Sequence, residues 1–101
     1  METNSTFIVS TKNFVAKKIA CKALKAADNN ELIHGLYVKA SMRDGKIVIN
    51  NLNELIAWRD ALMAYKPIDE AEGKVYRVLV ACAVRGCDKR TNIISALSRN
   101  V

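Results

Sequence analysis

The chain has 101 residues, half of them hydrophobic and 26% charged, with one proline and four glycines. That composition excludes a disordered tail, and the length suits one compact domain over residues 1–101 with a core between two layers. Net charge is +6. The longest unbroken apolar run, Val78 to Val84, is too short to cross a bilayer, and no basic-then-apolar leader follows Met1. A cytoplasmic protein with no membrane contact is the expectation.

Three cysteines, Cys21, Cys82 and Cys87, and one histidine, His34, make neither a disulfide framework nor a close pair of metal ligands. No zinc site and no cofactor are expected. The charge is distributed in blocks. Residues 11–27 carry +5 with no acid and residues 74–99 carry +5, whereas residues 28–73 carry −3. Two basic blocks around an acidic centre attract polyanions if they share a face, and are only solubilising if they do not.

In chain order, Thr6 to Ser10 is β-branched and aromatic and predicts a short strand. Thr11 or Asn13 caps a helix running to about Ala27. On that helix Val15, Ile19, Ala23 and Leu24 fall on one half, and Lys17, Lys18, Lys22 and Lys25 on the other. Asp28-Asn29-Asn30 ends it. Leu36 to Arg43 and Lys46 to Asn50 read as two strands of a hairpin, because Asp44-Gly45 suits the positive-φ positions of a type I′ turn. Asn51 with Glu54 resembles a capping box opening a helix to about Tyr65, which Lys66-Pro67 terminates.

The acidic run Asp69 to Glu72 predicts a helix start, and Gly86 the stop of that helix near Arg85. Its apolar residues cover most of its surface, so it is expected to be the central buried helix, with a strand over 74–85 as the alternative that its β-branched content offers. A last helix from about Asp88 to Ser98 turns Ile93, Ile94 and Leu97 inward. No internal repeat is visible. The expected fold is α+β: a small antiparallel sheet, formed by the N-terminal strand plus the hairpin, with about four helices packed on one face.

Several side-chain groupings bear on function. A helix, a turn at Gly86 and a short basic helix outline a helix-turn-helix unit whose groove-facing set would be Lys89, Arg90, Thr91, Asn92 and Ser95, with Arg85 joining Lys89, Arg90 and Asn92 in the nucleic-acid contact, though an αα-hairpin with a polar outer face explains the same residues. The lysine side of the first helix is a second phosphate-contacting candidate, weighed against an ordinary solvated face. Phe14 either stacks a base there or packs under the preceding strand, the second being favoured. Trp58, Arg59 and Tyr65 could form a patch for a protein partner, while the plainer reading has the stem of Arg59 covering core and its head reaching water. Cys87, expected at a helix N-terminus among basic residues, could carry a reactive thiolate.

No Walker loop, dinucleotide fingerprint, zinc-protease motif or carboxylate pair supplies the frame for an enzyme. The leading expectation is a non-enzymatic nucleic-acid-binding (DNA or RNA) or regulatory protein. The alternative is an interaction module that occludes a larger protein, of the inhibitor or adaptor kind carried by phage and mobile elements. A homodimer is compatible with either.

Overall fold

The computed structural model describes residues 7–99, with side chains described through Lys89. Its elements are β1 (Phe7–Ser10), α1 (Phe14–Ala26), α2 (Glu31–Ser41), β2 (Lys46–Ile49), α3 (Leu52–Ala64) and α4 (Glu70–Arg99). The expected class holds, an α+β fold in which four helices accompany a two-stranded antiparallel sheet.

All four helices open on a short carbonyl-bearing side chain, which satisfies amides that the first helical turn leaves unpaired. Asn13 accepts from the Val15 and Ala16 amides at 2.8 and 3.2 Å. Asn30 accepts from Ile33 at 2.9 Å, Asn51 from Glu54 at 2.9 Å and Asp69 from Glu72 at 2.8 Å. Glu54 reaches back to the amide of Asn50 at 3.0 Å, one residue earlier than a regular capping box. Helix α3 ends at the Tyr65 cap, just before Lys66-Pro67, as expected.

The strands pair Phe7 with Ile49, Ile8 with Val48, Val9 with Ile47 and Ser10 with Lys46. Val9, Ile47 and Ile49 are buried against the helices, and Ile8, Ser10 and Lys46 face away. The expected hairpin is therefore wrong in one arm: Lys46–Ile49 is a strand, but its partner is β1, and Leu36–Arg43 lies mostly in α2. Asp44-Gly45 does turn the chain, with Gly45 at φ +73°, and it joins a helix to a strand. The segment carries two periodicities at once. Ile33, Leu36 and Ala40 keep helical spacing and are buried, whereas alternation would bury Val38 and Met42, which are exposed.

The expected stop at Gly86 is absent, and α4 runs unbroken from Glu70 to Arg99. Gly86 has no positive φ, the geometry a left-handed helix cap requires, and it lies buried beside buried Cys87 and Ala83. Nor is α4 the central helix: Val78 is 62% exposed, while Ile19 and Leu24 of α1 and Trp58 and Leu62 of α3 are fully buried. Helices α1 and α3 form the centre, and α2 and α4 pack outside them.

The order β-α-α occurs twice, a repetition that residue identities conceal. Helices α1 and α3 each have 13 residues, and both bury an Ala-Leu pair at the same distance from the cap, Ala23-Leu24 and Ala61-Leu62. What repeats is the capping side chain and, in α1 and α3, the buried positions 7, 10 and 11 residues after it. Because Asn13 is exposed and satisfies two amides, Asn13→Ala should lower stability by about 1 kcal/mol in urea denaturation, and Asn13→Ser should restore most of it.

Candidate functional site

The lysine side of α1 is partly tethered. Lys17 donates from Nζ to the carbonyl oxygen of Met42 at 3.2 Å, bracing the end of α2. Lys18 Nζ lies 3.6 Å from Glu72 Oε2 at the start of α4. Lys22 and Lys25 are exposed, and α1 carries no acid to pair with them. Phe14, on the same side as Lys17 and Lys18 by helical spacing, is 78% exposed. The favoured expectation that it packs under β1 is overturned: the cap at Asn13 starts the helix with its first side chain turned to solvent.

Beneath these lysines lies a buried carboxylate. Glu72 is 3% exposed, and its Oε1 accepts from the Tyr65 hydroxyl at 2.6 Å and from the Ile68 amide at 3.3 Å. Its Oε2 has no hydrogen bond among the described residues, leaving Lys18 as its nearest counter-charge. The Tyr65 hydrogen bond outweighs burial and holds the Glu72 carboxyl below its ordinary range, with the Ile68 amide, Lys22 and Lys18 adding to the effect. Burial, followed by the bond to ionised Glu72, pushes the Tyr65 phenol up to about 12. Tyr76 extends the junction, donating to the Leu62 carbonyl at 2.8 Å, its ring centroid 6.0 Å from that of Tyr65.

The second basic block is elsewhere. Arg85 and Lys89 are exposed on α4, about 20 and 26 Å along the helix from Glu72 at 1.5 Å per residue. The side chains of Arg90 and Asn92 lie outside the described residues. With no turn at Gly86, the helix-turn-helix outline is overturned, because one continuous helix cannot set a recognition helix across its neighbour.

The expected partner patch is overturned as well. Trp58 and Leu62 are fully buried by α1 and α4, and Tyr65 is committed to Glu72. Arg59 is half-buried, its guanidinium bonded to Asp60 at 3.0 and 3.2 Å. Cys87 is 1% exposed within a continuous helix, so the helix N-terminus that would have activated its thiol does not exist. His34 sits in α2 rather than at a strand entrance, its Nδ1 3.3 Å from Asp28. No group of metal-ligating side chains occurs among the described residues, and none of their helices is long and apolar enough to cross a membrane.

One feature left no mark in the sequence, a cleft of about 530 Å³ between β1 and α4. Val9, Val75, Val78, Leu79 and Cys82 line it, Trp58 reaches its floor and Lys74 is its one charged residue. It exists only where two segments distant in the chain face each other.

The buried carboxylate makes stability depend on pH at both ends. Glu72 is held below its ordinary 4.5, so its contribution is complete above that pH and lost as pH falls through the folded value. Tyr65 is raised above its ordinary 10.0, so its contribution is complete below that pH and lost as pH rises through about 12. Urea denaturation from pH 3 to 12 should show both limbs. Glu72→Gln should flatten the acid limb, and Tyr65→Phe should move the acid limb to higher pH and remove the alkaline one.

Compared with known proteins, the chain matches no family model, no curated protein and no solved structure.

Proposed function

We propose that this chain is a small non-enzymatic binding protein that contacts nucleic-acid phosphates through the lysine side of α1. The observation that carries this reading is a helix with four lysines and no acid, two of the lysines exposed, beside an aromatic ring that is 78% exposed. Exposed cations along one helical side neutralise phosphates, and an open aromatic face gives a base something to stack on. That pairing favours single strands, whose bases are free to stack, over duplex. The tethering of Lys17 and Lys18 presents the surface on a fixed helix, because Met42 and Glu72 hold it to α2 and α4. Arg85 and Lys89 supply a separate contact further along the molecule, whose longest dimension is 47 Å.

Fluorescence anisotropy with single-stranded DNA, single-stranded RNA and duplex DNA over a salt series tests this. Tightest binding to a single strand is expected. Lys22→Glu with Lys25→Glu should weaken it strongly and reduce the slope of log K against log salt by about 1.4, the loss of two single-strand phosphate contacts. Phe14→Ala should cost about 1–3 kcal/mol of single-strand affinity. Binding that is unchanged in both variants would remove α1 from the reading.

A further inference from the structure

The two edges of the sheet are treated differently. Val48 directs its carbonyl away from β1, since Lys39 Nζ donates to it at 2.9 Å. Opposed residues in an antiparallel ladder alternate between bonded and unbonded pairs. The Val48–Ile8 pair is therefore unbonded, and the Phe7–Ile49 and Val9–Ile47 pairs are bonded. The Thr11 amide bonded to the Gly45 carbonyl at 2.8 Å continues the same alternation. It follows that Ile8 and Ser10 turn their amides and carbonyls to the outer edge of β1, where no group among the described residues pairs with them.

The internal repetition shows what is missing. Lys39 of α2 and Val78 of α4 occupy the same position relative to their helix caps, Asn30 and Asp69. Helix α2 packs on β2 and plugs its edge with the lysine; α4 stands off β1 and offers a valine. The apolar cleft fills the space between, with Ile8 57% and Val78 62% exposed at its mouth. An unpaired strand edge beside an apolar groove is the arrangement that accepts an added strand, with backbone bonds giving affinity and alternate side chains filling the groove.

We propose that the free edge of β1 takes an extended segment of a partner protein as a third strand, with apolar side chains at alternate positions seated against α4 and acidic residues at its ends. Charge selects this occupant over a second copy of the chain. The cleft is lined by Lys74 and no acid, Lys46 stands opposite Ser10, and the net charge of +6 opposes self-pairing. The site is separate from the lysine side of α1 and does not rest on nucleic-acid binding.

Selection of phage-displayed random dodecapeptides on the full chain tests it. Enriched peptides should alternate apolar residues between acidic ends, slow amide exchange at Ile8 and Ser10, and protect Cys82 from iodoacetamide. Val78→Lys, which supplies the missing plug at an exposed position, should weaken them by at least about tenfold; Cys82→Trp, which fills the cleft, should do the same. No enrichment, peptides without the alternating pattern, or binding retained by both variants would overturn the proposal. So would sedimentation showing a dimer whose Ile8 and Ser10 amides are already protected, which would give the edge to a second copy.

Discussion

The contact between Glu72 and Tyr65 joins the parts of this protein. It ties the first turn of α4 to the end of α3, and through Lys18 it ties both to α1. A buried carboxylate is costly unless its oxygens are satisfied, and one oxygen here takes two donors while the other faces a lysine. Parting α1 from the α3–α4 corner would take from this carboxylate its nearest counter-charge. The two central helices meet the start of α4 at this group.

That arrangement also fixes what the surface offers. Lys18 is drawn onto Glu72 and Lys17 onto Met42, which leaves Lys22, Lys25 and Phe14 as the open part of α1. Clamped at its first turn, α4 carries Arg85 and Lys89 away from those lysines. The two basic surfaces therefore lie apart along a molecule whose longest dimension is 47 Å.

The repeated β-α-α unit is symmetric in its centre and asymmetric at its margins. The inner helices share several buried positions and the strands pair directly, but a lysine closes the outer edge of β2, while among the described residues nothing closes that of β1, where α4 offers a valine. Edge strands are ordinarily blunted by charge or cover, as Lys39 does for β2. The contrast ties the edge of β1, unpaired among the described residues, to particular side chains.

Local chemistry was legible in the sequence. Asn13 and Asn51 mark their helices because a short carbonyl next to unpaired amides has the same effect in any tertiary setting, and Pro67 ends α3 by steric exclusion. The apolar and basic halves of α1 follow from helical spacing, and the strand at β1, with it an α+β class, from β-branched and aromatic residues. Features that satisfy two local rules at once were not legible. Leu36–Arg43 alternates and also keeps helical spacing, and the pairing of β2 with distant β1 decided between them. Gly86 can cap a helix or lie inside one, and burial next to Cys87 decided that. Trp58 looked available until α1 and α4 covered it, and the cleft arose where α4 fails to close on β1. The sequence by itself determined where α1, α3 and α4 begin and which side of α1 is charged, since those effects act within a turn or two of chain. Strand pairing, the burial of Glu72 and the open edge belong to the tertiary structure, because each depends on groups that only folding brings within contact distance.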